Sequence, residues 1–382
     1  MIYLDNAATS WPKPHCVIEE MENCILNYCA NTGRSGHFMS AKSEETVYGA
    51  REKVCSLFGF DNPSGVVFTH NATYGLNFII NGIVNKSSHV IVTSMEHNSV
   101  MRPVVSSGCM YDVVYADKDG YVNGEDVEKC IKGNTALIIC TLSSNVCGSV
   151  QPFEKIAEIS NKHGIPFLLD ASQGAGSIAI NMDKCKIDYL AAPGHKGLLG
   201  PMGTGIVCIK GNSLFNSIIK GGTGSYSKLM VQPDILPDKF ESGTLNVVGI
   251  AGLSKSLDYI LNAGTESILY HENKLCNSLA EKLGNISKVR LAGYVKDKAR
   301  CAVLSFVIDG IDTVNTASML NLEYNIAVRA GFHCAYNAHC SLNTENTGTV
   351  RVSFGPFNTI EQVDAVANAV KEIALQNNRN TL

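Results

Sequence analysis

Seven short apolar runs rich in β-branched residues, all within the first 210 residues, constrain this chain more than any other feature. They are GVVFT (65–69), HVIVTS (89–94), YDVVYA (111–116), ALIIC (136–140), PFLLD (166–170), DYLAA (188–192) and GIVCI (205–209), and each reads as a buried strand. Between several of them lie helical patterns such as NATYGLNFIINGIV and PFEKIAEISNKHG. The alternation of strand and helix predicts an α/β fold, a large domain whose mostly parallel seven-stranded sheet lies between helices. After about residue 250 the texture changes to long amphipathic stretches, GLSKSLDYILNAG and ESILYHENKLCNSLAEKLG, then CAVLSFVI, TVRVSFG and a closing IEQVDAVANAVKEIALQ. This pattern predicts a smaller α+β C-terminal domain. The segment 220–246, densest in Gly, Ser and Pro, reads as an ordered loop excursion.

Composition narrows the function classes. With 45% hydrophobic and 17% charged residues in 382, the chain is expected to form a large core. Its 31 basic and 35 acidic residues form no long single-sign run, which argues against a nucleic-acid partner and for small molecules. No window approaches the roughly 18–20 apolar residues that span a bilayer, and MIYLDNAATSWPKP carries no basic stretch ahead of an apolar one. No membrane association and a cytoplasmic location are therefore expected. The 14 cysteines include no C-x-x-C pair, so reduced thiols serving mostly as small buried hydrophobes are expected.

In open α/β sheets ligands lie beyond the carboxyl ends of the strands, so the polar residues that follow each run carry the interest. These are THNATYG, MEHNSV, TLSSNVCG, DASQ and PGHKG, which bring His97, Asn145, Asp170 with Gln173, and His195 with Lys196 towards one edge. Lys196 stands inside the glycine-dense PGHKGLLGPMGTG, where close-packed backbone could hold an amine against a carbonyl. A lysine for a covalent bond to an aldehyde, a carboxylate for a ring nitrogen and a helix N-terminus for a phosphate are what a pyridoxal phosphate site requires. Taken singly, Lys196 also reads as a solvated loop lysine, Asp170 as a helix cap, His97 as a core histidine, Gln173 as a turn former, Thr73 as a helix cap and Arg351 as a paired strand residue.

The ordered set YLDNAAT (3–9), NAT (71–73), MEH (95–97), SNVCG (144–148), DASQ (170–173), GHK (194–196), FESGTLN (240–246), RAGFHCA (329–335) and VRVSFGPFNT (350–359) resembles the cysteine desulfurase family. Within the class V aminotransferase-like enzymes of pyridoxal-phosphate fold type I, the likeness is to the second desulfurase group, close to selenocysteine lyases. It runs almost end to end. The resemblance implies a large cofactor-binding domain at 15–250 and a small domain made of 1–14 and 251–382. It implies that Lys196 carries the cofactor, Asp170 pairs with its ring nitrogen, Gln173 bonds its phenolic oxygen and His97 stacks on its face. Ala72, Thr73 and His195 would cradle the phosphate, with Thr244 reaching the phosphate of the other subunit in a homodimer. Asn145, also placed at the cofactor, and Arg351 would hold the substrate carboxylate, and Cys334 would accept sulfur from L-cysteine as a persulfide, for onward transfer to an acceptor protein.

Other readings stay open beside this one. A selenocysteine lyase acting on L-selenocysteine would use the same pocket, and an ordinary transaminase would not need Cys334. In HCAYNAHC (333–340) the pairs His333–Cys334 and His339–Cys340 could supply zinc ligands in a non-catalytic interaction protein, but adjacent ligands make poor metal geometry, so no metal is expected. The chain departs from many relatives of the second group at Pro193, where a serine hydroxyl would face the phosphate, and at Tyr336 after Ala335. The short span from Cys334 to Arg351 leaves little room for a long mobile loop.

Overall fold

The computed structural model describes residues 1–33, 36–211 and 215–376. Its strands are β1 (Ile2–Tyr3), β2 (Val66–Thr69), β3 (His89–Thr93), β4 (Met110–Val114), β5 (Thr135–Thr141), β6 (Phe167–Asp170), β7 (Tyr189–Pro193), β8 (Gly205–Ile209), β9 (Val289–Ala292), β10 (Val303–Ile308), β11 (Ile326–Ala327), β12 (Arg329–Gly331) and β13 (Thr349–Ser353). The helices are α1 (His15–Asn27), α2 (Phe38–Phe58), α3 (Ala72–Ile83), α4 (Asn98–Ser106), α5 (Gly124–Lys129), α6 (Phe153–Lys162), α7 (Met182–Cys185), α8 (Val247–Ala263), α9 (Thr265–Gly284), α10 (Thr313–Tyr324), α11 (Tyr336–Ser341) and α12 (Ile360–Gln376).

All seven sequence-predicted runs enter one sheet, in the order β2-β8-β7-β6-β5-β3-β4. The pairs β3–β4, β3–β5, β5–β6 and β6–β7 are parallel, and β8 runs antiparallel to both β7 and β2. Strands covered on both faces need no polar side, which is why β3, β7 and β8 are buried at every position. One expectation needs correcting. β4 is an edge strand, and Met110 and Tyr111 are exposed because no strand covers the far side.

Two cores result. The sheet and its helices enclose the larger, which includes Val247, Leu253 and Leu257 of α8, a helix packed on α1 and α2. The second gathers Leu4, Leu275, Phe306, Val352 and Val370 around the antiparallel sheet β12-β13-β10-β9. The boundary expected at residue 250 thus falls inside α8, whose apolar face continues past it into the larger core. The chain start reaches the second core through β1, which pairs parallel with β11, and through Leu4.

Between β8 and α8 the described chain forms no helix or strand, as the composition of 220–246 suggested. Its end is pinned by Glu241, whose carboxylate meets Arg51 Nη2 at 2.6 Å and accepts the Phe68 amide at 2.6 Å, both ion-pair side chains being almost fully buried. The Arg51 guanidinium also lies 4.8 Å from the Phe68 ring centroid. Removing one partner of such a pair strands a buried charge. Glu241→Ala is therefore expected to cost about 3–5 kcal/mol in urea-induced unfolding; a loss below about 1 kcal/mol, the range of an exposed pair, would mean that this contact does not anchor the loop.

Candidate active site

The carboxyl ends of β5, β6 and β7 converge on the predicted edge. Thr141 pairs with Asp170 across β5–β6, and Asp170 with Ala191 across β6–β7, so the acid stands at the centre of the sheet. It is 1% exposed; Oδ1 accepts the Ser172 amide at 2.9 Å, and no donor among the described residues meets its other oxygen. Lys196 follows β7 by three residues. A side chain on the next residue is excluded, because a Cβ at Gly197 would stand 2.3 Å from the Ala175 carbonyl oxygen. Asp170 and Lys196 form no direct ion pair, yet they sense each other. Burial pushes the Lys196 amine down to about 8, with Asp170 opposing that fall and Arg351 and Arg329 adding to it.

On one side of this pair, α3 and α4 begin together. Asn71 caps α3 by accepting the Tyr74 amide at 3.1 Å, which leaves the Ala72 and Thr73 amides directed beyond the helix start. A Cβ at Gly205 would lie 2.6 Å from Asn71 carbonyl carbon, so glycine there is what allows this turn its place against β8. Thr73 Oγ1 meets Ser99 Oγ at 2.8 Å, and Ser99 in turn gives its amide to His97 Nδ1 at 3.0 Å. With Nδ1 accepting, the hydrogen of the neutral ring sits on Nε2. Burial, with Lys196 next in effect, holds His97 down at about 4, so the ring is uncharged at neutral pH. His195 is likewise lowered to about 4, by burial and then by Lys196 and Lys13, and its Nδ1 is buried with no partner.

On the other side stand β12, β13 and the loop between β12 and α11. Arg351 is 1% exposed; Nη2 contacts Asp5 Oδ1 at 2.8 Å, Nη1 donates to the Asn145 carbonyl at 2.9 Å, and Nε is buried without an acceptor. The Asn145 amide donates to the His333 carbonyl at 2.6 Å. Cys334 is exposed, with Arg329 Nη2 at 3.7 Å from its sulfur. Both His333 (φ 49°) and Cys334 (φ 60°) adopt the left-handed conformation, a strained pair for non-glycine residues. The Asn98 amide bonds the Cys334 carbonyl at 2.8 Å and Asn145 bonds that of His333, so the strained turn is held from two sides.

Most residues singled out from the sequence therefore meet here. Gln173 lies by the chain start instead of an open face, donating to the Ala7 carbonyl at 2.8 Å. Thr244 stands apart, exposed on the loop in a cleft with His70 and Tyr74. His333 and His339 tilt towards each other at 5.7 Å, and their bonded nitrogens go to Thr349 and Thr344. Among the described residues no three His, Cys, Asp or Glu side chains could hold a metal ion. Sequence reasoning assigned no role to Asp5, Lys13, Glu96 or Ser99, whereas Arg329, five residues upstream of Cys334 in a glycine-containing loop, is the positive charge expected near that thiol. Asp5 and Glu96 lay inside the motifs YLDNAAT and MEH, which were the available signal. Glu96 is buried beside this edge, accepts Thr93 Oγ1 at 2.6 Å and the Thr141 amide at 2.9 Å, and is pushed up to about 8 by burial.

These residues fit pyridoxal phosphate. The amides opening α3 and the orphaned His195 nitrogen make an anion cradle, the free Asp170 oxygen suits a protonated ring nitrogen, and Lys196 supplies an amine that is readily deprotonated.

The family model of class V aminotransferases matches residues 2–366. Over 385 residues the chain is 34% identical to a probable cysteine desulfurase of Methanothermobacter thermautotrophicus, covering 98% of this chain and 94% of that one. It is 32% identical to a probable cysteine desulfurase of Pyrococcus abyssi, covering 98% and 94%. Among solved structures, the apo cysteine desulfurase of Thermococcus onnurineus NA1 superposes with a TM-score of 0.91 at 30% identity, covering 98% of this chain and 95% of that one. The Escherichia coli cysteine desulfurase CsdA gives 0.86 at 26%, covering 98% and 94%.

The electrostatics give a direct test in the cofactor-free protein. Reductive methylation of Lys196, followed by mass spectrometry, is expected to show a midpoint near pH 8 in place of the ordinary 10.5. Because the Asp170 charge favours the ammonium, Asp170→Asn should move that midpoint lower. An unchanged midpoint in the variant would show that the two groups are not coupled.

Proposed function

The chain belongs to the class V aminotransferase family, whose enzymes depend on pyridoxal 5'-phosphate, and on that premise we propose that it is a cysteine desulfurase converting L-cysteine to L-alanine. The observation that carries the reading is a thiol, Cys334, presented on a strained and pinned turn beside Arg329, whose charge also reaches Lys196. An ordinary transamination has no use for it.

When bound, the cofactor supplies an electron sink that stabilises negative charge at the substrate Cα. Lys196 would hold the cofactor and supply the amine that moves the Cα proton; an amine lowered to about 8 is matched to that task near neutral pH. Asp170 keeps the ring nitrogen protonated. Neutral His97 would pack on the ring face, Ala72, Thr73 and His195 would hold the phosphate, and Gln173, which gives one amide hydrogen to the Ala7 carbonyl, would have its second for the phenolic oxygen, with Asn145 nearby. Arg351 takes the substrate carboxylate with the Nε–H that has no partner within the protein, and Asn145 stands beside it.

Cys334 attacks the substrate sulfur. A sulfur–sulfur bond forms as the carbon–sulfur bond breaks, so that one thiol and one cysteine become one persulfide and one alanine with no atom left over. Arg329 places positive charge beside the sulfur throughout. A docking acceptor protein then removes the outer sulfur. The reaction calls for a reducing, cytoplasmic setting, in keeping with fourteen cysteines none of which is disulfide-bonded.

The working unit is a homodimer in this proposal. The loop carrying Thr244 also displays Leu229, Met230 and Val231 to solvent, and α1 and α2 expose Ile25, Leu26 and Phe38, large apolar side chains that a partner subunit would cover. In such a dimer Thr244 reaches the partner's phosphate.

Incubation with L-cysteine, with alanine release followed and the persulfide located by peptide mass, tests the assignment. Cys334→Ala is expected to abolish alanine release while keeping the visible absorbance of bound cofactor. Lys196→Ala is expected to lower turnover by about 10²–10⁴-fold or more and to change that absorbance. Sulfur found on a peptide lacking Cys334, or full turnover by Cys334→Ala, would overturn the proposal. A much higher rate on L-selenocysteine, without a persulfide, would replace it with a lyase.

A further inference from the structure

Lys13 is a cation without an anion. Its Nζ lies 2.8 Å from the His195 carbonyl and 2.7 Å from Ser10 Oγ, and no carboxylate among the described residues is within ion-pair reach of it. Burial alone pushes it down to about 8. An ammonium is costly to withdraw from water, so one placed against a single backbone carbonyl is held there for what it binds. The same carbonyl accepts the Ser10 amide at 3.0 Å and Thr9 Oγ1 at 3.1 Å. The Ser10 hydroxyl, already accepting from Lys13, has one hydrogen to give, and its shorter contact is the Lys196 carbonyl at 2.9 Å. Donors from residues 9–13 thus grip both carbonyls flanking the Lys196 backbone, whereas its amine carries no hydrogen bond.

We propose that Lys13, aided by Ser10, is a positioning residue that clamps the His195–Lys196 peptide, so that the Lys196 amine returns to the same point after each release. The kinetic consequence rests on the desulfurase reading; the clamp itself does not. A side chain that must leave and regain a covalent partner needs a fixed root, since a displacement of about 1 Å can cost about a hundredfold in rate. Charge-assisted bonds are the stronger kind, and they suit a loop that packs tightly at glycines but has no regular secondary structure of its own. The far end of the clamp is secured by Tyr3, whose hydroxyl donates to the Thr9 carbonyl at 2.8 Å, and by the Asp5–Arg351 ion pair.

The test uses Lys13→Met with Lys13→Arg as the conservative variant. In the cofactor-free protein, amide hydrogen exchange at Leu199 and Gly200, which bond the carbonyls of Lys196 and Gly194, should quicken about tenfold in Lys13→Met and recover in Lys13→Arg. Capture of pyridoxal phosphate, followed by absorbance, should slow by a similar factor. In the holoenzyme kcat should fall about tenfold with KM for L-cysteine little changed, again restored by arginine. Wild-type exchange and capture rates in a folded Lys13→Met protein would overturn the proposal. If that variant does not fold, Ser10→Ala, which removes only the bond to the Lys196 carbonyl and the acceptor for Lys13, must still quicken exchange at Leu199, and wild-type exchange there would overturn the proposal equally. A wild-type protein that makes no alanine would sink the desulfurase reading while leaving the exchange result to judge the clamp.

Discussion

A carboxylate at the end of a buried parallel strand has to be answered by positive charge, and the arrangement around Asp170 follows from that need. Among the described residues Lys196, Arg351 and Arg329 all influence the same small volume, with Asp5 and Asp170 as the counter-charges that oppose them. The surplus of cations costs stability in the protein alone. It suits a phosphate at the α3 start and a substrate carboxylate at Arg351, each of which brings the missing negative charge. Burial above all keeps Lys196 easy to deprotonate, with Arg351 and Arg329 adding to its effect and Asp170 opposing it.

Histidines in this environment cannot also be charged. His97 and His195 are both held neutral by burial and by the nearby lysine, and this decides what they can do. An uncharged imidazole with Nδ1 occupied by Ser99 presents a flat face and one N–H, which is the form that packs against an aromatic ring. His333, buried and pushed down to about 2, contributes through its backbone: its carbonyl is the handle by which Asn145 holds the strained turn under Cys334.

The first thirteen residues tie these parts together. Asp5 pairs with Arg351 of the smaller sheet, Ala7 receives Gln173 from the end of β6, and Ser10 with Lys13 holds the loop that follows β7. One N-terminal segment therefore sets the spacing of Arg351, the loop after β6 and the backbone of Lys196 at once. Asn6 and Ala7 bond Ser353, and Asn358 bonds the Tyr3 carbonyl, which fixes that segment to the second core.

Much of this was legible in the order of residues. Apolar runs of five or six residues separated by helical periods bury both faces in a mostly parallel sheet, so the seven strands and the edge bearing Lys196, Asp170 and His97 followed from local pattern and strand polarity. The edge positions of β2 and β4 did not, because which strands stand last in the sheet is set by strand order and not by any one run. Nor did the continuation of α8 into the larger core, since an amphipathic helix does not declare which core its stripe will join. The roles of Asp5, Lys13 and Ser99 were hidden for a related reason: each acts on a residue distant in the chain or on a backbone carbonyl, and such partners exist only after the fold has brought them together. Composition and motif determined the chemistry this protein carries; tertiary contact alone decided which groups hold that chemistry in place.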